Sequence, residues 1–234
     1  MFDTSNLRLP MLQAAQAQKH VTLNDSLQAL DVLVQLSVID RAQLAPPGAP
    51  IDGARYLVPD GASGAWSGHA HEIAAFQDGV WVFHAARDGW RVYVAAEGRM
   101  LTFAHGRWRE TYVHDGFGAG LAFGLVSEDH VLAAGATSET AITIPERAIL
   151  FGVTGLVSQA VTGVSSFSVG VAADAQRFGS GIGTGVNSQV NGVGTPSAYY
   201  SATPIRFTAT GGGFTGGSVR VAAHFVRLQI PDFI

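Results

Sequence analysis

Six dipeptides, Asp60-Gly61, Asp78-Gly79, Asp88-Gly89, Glu97-Gly98, His105-Gly106 and Asp115-Gly116, punctuate the later part of the first half of the chain. Each supplies the positive-φ position that a tight hairpin demands, so the residues between them read as short strands. Those strands fall around Tyr56, Ile73, Trp81, Val92, Leu101 and Tyr112. Residues 53–116 are therefore expected to form a small, Trp/Gly-rich β-meander.

Upstream the period is different. Leu23, Leu27, Leu30, Val34 and Val38 recur at three- and four-residue intervals, which predicts a helix over 24–40. Thr22 and Asp25 offer a capping pattern at its start. Leu33, Leu36 and Ile39 widen the apolar stripe, so the helix needs cover on two sides. Two coverings are open: its own domain, or the same helix of another copy. Residues 1–40 thus read as an anchoring segment plus helix; Met1–Pro10 has no periodicity and is expected to order only on docking. Pro46, Pro47 and Pro50 then exclude helix, and 41–52 reads as a stiff linker.

Beyond residue 116 lie 19 of the 29 glycines, and charge becomes sparse. Strict alternation in Ile142/Ile144, Ile149/Phe151/Val153, Phe167/Val169/Val171, Ile205/Phe207/Ala209 and Val219/Val221/Ala223/Phe225 gives half-buried strands joined by Gly-rich turns. Residues 117–234 are expected to be a jelly-roll-like β-sandwich, and the whole chain mainly β. Ala222, Val226 and Leu228 keep the outward side of the last strand small or apolar. That suggests packing against copies, by analogy a homotrimer.

The chain's 234 residues can bury a real core, yet only 14% are charged. No run approaches the ~20 apolar residues of a membrane span, so membrane insertion is not expected. The start, Met1 to Asn6, lacks the basic and apolar regions of a cleaved signal. Cysteine is absent, which removes disulfides, thiolate nucleophiles and Cys-based zinc sites together. Net charge is -4 and Lys19 is the single lysine, a poor match to a nucleic-acid backbone.

Chemistry-bearing residues are few. His69, His71 and Glu72 are the nearest approach to a metal set; on a strand the two histidines would share a face, but no third ligand follows, and polar residues at a strand entrance are the plainer reading. Trp66, Trp81, Trp90 and Trp108 each lie near a glycine. They are either sugar-stacking platforms or the core of a small domain, with core favoured. The segment Asp174–Tyr200 is rich in glycine and reads as a loop at one end of the sandwich. It carries Asp174, Gln176, Arg177, Asn187, Gln189, Asn191, Tyr199 and Tyr200, groups that recognise hydroxyls by paired hydrogen bonds and stack on rings. This is the candidate carbohydrate site; a mobile surface loop is the alternative. Gly211–Gly217 lacks the Gly-Lys-Ser/Thr ending of a phosphate loop and reads as a hairpin turn. No Gly-x-Ser-x-Gly elbow occurs, and Asp129, Glu139, Glu146 and Asp174 show no spacing that marks a glycoside-cleaving pair. No enzyme activity, cofactor or metal is expected.

The run Gln13 to His20 (QAAQAQKH), followed by Asn24 and Ala29-Leu30-Asp31, resembles the N-terminal signature of an uncharacterised family found in bacteriophage tails and gene-transfer-agent particles. The likeness extends weakly to about Trp108. It implies a virion appendage subunit, a tail fibre or spike assembled in the bacterial cytoplasm, joined to other virion proteins through its N-terminal segment. Combined with the candidate site, it suggests attachment to host surface polysaccharide. Two rivals are a structural tail plug, with interfaces through Trp81, Tyr93 and Phe103, and a capsule-degrading tailspike; no 20–30-residue repeat of the solenoid kind supports the latter.

Overall fold

The computed structural model describes residues 3–12, 19–111 and 113–232. Gln13–Gln18 of the N-terminal signature and the strand position at Tyr112 lie outside the described residues. The chain is mainly β, with one α-helix and sixteen strands among the described residues, and divides into two compact units, Met1–Thr111 and Tyr112–Ile234.

In the first unit, helix α1 runs Lys19–Leu33 and not 24–40. Thr22 and Asp25 lie inside it, with the Ser26 hydroxyl donating to the Thr22 carbonyl at 2.9 Å, so neither caps its start. The chain leaves the helix through Gln35 at φ +52°, and Ser37–Val38 becomes strand β1. Leu36 and Val38, apparent widenings of a helical stripe, are buried with Val32 against Leu57, Ile73, Val92, Val94 and Leu101. The cause is the backbone ladder: Tyr93 N–H donates to Leu36 O at 3.0 Å and Ala95 N–H to Val38 O at 2.9 Å. Alternation at 34, 36 and 38 fits a strand as well as a helix, and pairing with a neighbour decides between them.

Strands β2 (Arg55–Leu57), β3 (Ile73–Gln77) and β4 (Val80–His84) make one antiparallel sheet. Strand β1, β5 (Arg91–Val94), β6 (Arg99–Ala104) and β7 (Arg107–Arg109) make another, with β1 parallel to β5. The expected single meander is therefore two small sheets, because β1 from before the Pro-rich segment closes the second. The tryptophans are interior: Trp66 is fully buried against Tyr56 and edge-on to Trp81, with ring centroids 5.3 and 5.2 Å away. Trp90 and Trp108 pack half-buried on the main core. Phe103, named above as an interface residue, is buried.

Residues 41–52 have no regular structure but are pinned to this unit. Arg41 pairs with Glu97 and Glu110, both at 2.6 Å, Arg99 pairs with the same Glu110 at 2.9 Å, and Ser63 N–H donates to Leu44 O at 2.8 Å. Residues 3–10, expected to lack order, fold back on the helix. The Asp31 carboxylate, 1% exposed, accepts from Thr4 Oγ1 (2.6 Å), Asn6 N (3.0 Å), Asn6 Nδ2 (2.9 Å) and Leu7 N (2.5 Å). Burial alone would raise the Asp31 pKa; these hydrogen bonds outweigh it and hold the carboxyl below its usual range. Apart from Val32 and the half-buried Leu33, which meet the core, helix α1 buries little: Leu23 and Leu30 are exposed, as is Val34 just beyond its end.

The second unit holds β8 (Val113–His114), β9 (Gly120–Val131), β10 (Thr137–Ile144), β11 (Ala148–Thr162), β12 (Ser166–Val171), β13 (Asp174–Ile182), β14 (Gln189–Tyr199), β15 (Thr203–Thr210) and β16 (Gly216–Gln229). Two sheets, ordered β14-β11-β16-β9-β8 and β10-β15-β12-β13, enclose one core. The short β8 aside, the eight long strands β9–β16 run sixth-third-eighth-first in one sheet and second-seventh-fourth-fifth in the other. That is the jelly roll expected from the alternation. Phe167, Phe207, Phe214, Ile144, Ile205 and Val169 fill its centre.

The segment 174–200 is not a loop: β13 and β14 occupy nearly all of it, joined by a turn at 183–188. Phe178, Ile182 and Val190 point into the core between its glycines and hold both strands in place. The Gly211–Gly217 turn joins β15 to β16 as expected, although its Phe214 is buried. On the last strand Leu228 is exposed and Ala222 half-buried, whereas Val226 is buried. Across the outer side of the same sheet Phe123, Leu125, Phe151 and Val193 are exposed, Phe123 and Phe151 with nearly parallel rings 6.4 Å apart.

Candidate functional site

The described cleft in the second unit is made by two irregularities of register. Between the Val171–Asp174 and Val169–Gly179 pairs, β12 advances two residues while β13 advances five. Between Leu150–Ser197 and Gly152–Val193, β11 advances two while β14 advances four. Extra residues bulge off a ladder and re-aim their side chains, a device common beside binding sites. Here the bulges at 175–178 and 194–196 lie on strands that approach each other closely. A Cβ on Gly192 would run into the Phe178 carbonyl oxygen, so only glycine allows the approach.

The resulting cleft, of about 220 Å³, is lined by Leu150, Phe151, Arg177, Phe178, Thr195 and Ser197, with backbone from Gly152, Gly192 and Gly194. Arg177 donates through a terminal guanidinium nitrogen to Ser197 Oγ, and Ser197 Oγ donates to Thr195 O at 3.0 Å. The guanidinium carbon stands 5.9 Å from the centre of the Tyr199 ring, within cation–π range. Burial raises the Tyr199 phenol pKa against the lowering pull of the Arg177 cation. Among the described residues the buried Tyr199 hydroxyl has no hydrogen-bond partner. A floor of apolar and aromatic groups, a fixed cation and a hydroxyl wall can receive a ring with one apolar face and a polar rim.

Of the residues singled out in the sequence, Arg177 alone lines the cleft, with the Tyr199 ring beside its guanidinium but outside the lining. Asp174 and Gln176 are exposed on the same strand, the Gln176 N–H donating to Asp174 Oδ1 at 3.2 Å. Asn187, at φ +70°, lies in the 183–188 turn, where its N–H donates to Val157 O at 3.0 Å, at the opposite end of β14 from Tyr199. Gln189 and Asn191 stand opposite Leu156 and Thr154. Tyr200 is exposed in the β14–β15 turn. The set is thus not one site: strands spread along their length what a compact loop would have gathered. Sequence reading missed Ser197, Thr195 and Phe151. Their signal was the Gly194-Thr195-Pro196 interruption, since proline is tolerated in a strand chiefly at edges and bulges.

Other constellations resolve differently. His69 and His71 precede β3 in turns and do not share a face. His69 Nδ1 lies 2.8 Å from Glu72 with its ring stacked on Phe83, while His71, at φ +68°, meets Asp60 at 3.1 Å. Asp129 and Glu139 each close an ion pair, with Arg220 at 2.6 Å and Arg206 at 2.5 Å. One arrangement escaped the sequence: Ser138 Oγ is 2.7 Å from His130 Nε2, and His130 Nδ1 is 2.9 Å from Glu128. This has the order of a nucleophile, base and orienting acid. Ser138 is 3% exposed, however, and also accepts from Ala133 N–H at 2.9 Å, while the imidazole stacks on Phe207. The trio ties β9 to β10 inside the sandwich.

A family model described as a protein of unknown function, DUF2793, matches residues 23–109, which fall in the first unit. No curated protein matches the chain. A solved structure, the cyanophage Pam1 capsid asymmetric unit, aligns at 22% identity over 53% of this chain and 97% of that one. Its TM-score of 0.33 is too low to establish a shared fold. Among the described residues no helix is long and apolar enough to cross a membrane.

Proposed function

We propose that the protein is a virion appendage subunit, a tail-fibre or spike component, whose C-terminal jelly roll attaches the particle to host cell-surface polysaccharide. The observation that carries the binding half is the cleft opened by the paired bulges, where Arg177, the Ser197 hydroxyl and the Phe151 ring converge. The appendage half rests on the resemblance of the Gln13–Asp31 signature, with the helix-bearing unit as the part that meets other virion proteins.

Assembly as a homotrimer belongs to the same reading. Leu23, Leu27, Leu30 and Val34 follow a 4-3-4 spacing, that of a coiled-coil seam, and three of the four are exposed in the single chain. Several weak sites on one particle then add by avidity.

The test is binding of the full-length protein, with its oligomeric state fixed by light scattering, to intact host cells and to their purified capsular or lipopolysaccharide glycan. Binding that soluble glycan competes away, with no shortening of the polymer, is expected. Shortening would instead favour a depolymerising spike. A second reading, a structural plug without glycan binding, draws on the apolar outer side of the five-stranded sheet. It predicts an assembled protein that binds no glycan.

A further inference from the structure

We infer that the cleft between the β13 and β14 bulges selects a sugar bearing an exocyclic carboxylate, an assignment that rests on the polysaccharide reading above. Among the described residues Arg177 is the one charged side chain lining the cleft. Its orientation is set before any ligand arrives, by Ser197 on one nitrogen and the Tyr199 ring beside it. Arg41, Arg99, Arg206 and Arg220 are each ion-paired with a carboxylate of the chain, but no described ion pair engages Arg177.

A guanidinium offers five N–H donors in a planar fork, and Ser197 uses one of them. A neutral sugar hydroxyl satisfies the remainder one at a time. A carboxylate takes two in parallel, in the bidentate geometry that suits the fork, and brings an opposite charge that a hydroxyl lacks. Ser197 already donates to Thr195 O and accepts from Arg177, so it positions the cation and is not itself the sugar's first partner. The apolar floor of Leu150, Phe151 and Phe178 suits the C–H face of a pyranose. At about 220 Å³ the cleft lies below the roughly 300 Å³ at which pockets for drug-sized ligands begin, a size for one ring and not a chain.

The experiment uses the full-length protein against matched glycosides displayed on a neutral polymer: galactoside beside galacturonide, and glucoside beside glucuronide. Surface binding and saturation-transfer NMR are the readouts. The acidic member of each pair is expected to bind at least tenfold more tightly and to weaken with added salt. Arg177→Gln should erase that difference, and Arg177→Lys should restore part of it. Gly194→Leu places a side chain where no atom lies within 4 Å of a new Cβ, so it should fill the cleft and block both members without unfolding the sandwich. Equal binding of acidic and neutral sugars that Gly194→Leu blocks would overturn the carboxylate assignment and leave the polysaccharide reading standing. Acid preference that survives Arg177→Gln would overturn Arg177 as its source. Binding of none of the four sugars would overturn the assignment; host-cell binding, measured alongside, decides the polysaccharide reading separately.

Discussion

Gly192 and Asp31 show how single residues set this structure. Gly192→Ala places a methyl group against the Phe178 carbonyl and forces β13 and β14 apart. A loss of about 1–3 kcal/mol is expected from overpacking, read as a lower unfolding midpoint, together with loss of glycan binding. Asp31→Ala leaves the Asn6 and Leu7 amides without their acceptor and should cost about 2–4 kcal/mol. Because the folded carboxyl has a pKa below its unfolded value, its contribution is complete above the ordinary aspartate range, near ~3.9. It is lost as pH falls through the folded value. The protection of the Asn6 and Leu7 amides, taken against the intrinsic exchange rate at each pH, should fall over that acid interval, and the Asp31→Asn variant should show no such interval. Arg177 and Tyr199 were legible as polar and aromatic candidates from composition alone. Ser197 and Phe151 were not, because a cleft made by unequal advance of paired strands depends on which strands pair.

At the scale of elements, the turns were easiest to read, since an X-Gly pair carries its conformation within two residues: five of the six glycines have positive φ, whereas after Asp115 that conformation falls on Gly118 and not Gly116. Helix α1 was read too far because Val34, Leu36 and Val38 satisfy a period of 2 as well as one of 3.6, and only β5 arbitrates. Its exit through Gln35 at φ +52° puts a side chain where glycine is the usual occupant. Gln35→Gly is expected to raise stability by up to about 1 kcal/mol, and Gln35→Val to lower it, as thermal unfolding would report. Strands β13 and β14 were mistaken for a loop for a related reason. Glycine can mean flexibility, but here it permits close approach, and the inward Phe178, Ile182 and Val190 are too few to show as alternation.

For the whole molecule, the two units have separate cores, so residues 113–234 produced alone should fold cooperatively and keep the cleft; a dispersed amide spectrum with protected β16 amides would show it. The double substitution Leu23→Glu, Leu30→Glu changes side chains that are exposed in the single chain. Light scattering should then report monomers with unchanged strand content, whereas a persistent trimer would place the contact elsewhere. The jelly roll followed from the sequence because most of its long strands alternate, β13 and β14 excepted, while an interface between copies would be written only as apolar surface. The order β14-β11-β16-β9-β8 sets the cleft strand and Val113 at opposite edges of one sheet, four ladders or roughly 19 Å apart. Under the proposed function, a pull between a bound glycan and the connector would therefore run across the strands, loading hydrogen-bonded rungs in turn and not together. A sheet strained in that direction peels, so on the proposed attachment role each subunit would be a grip that yields at modest force, and a particle would hold against flow by sharing tension among many.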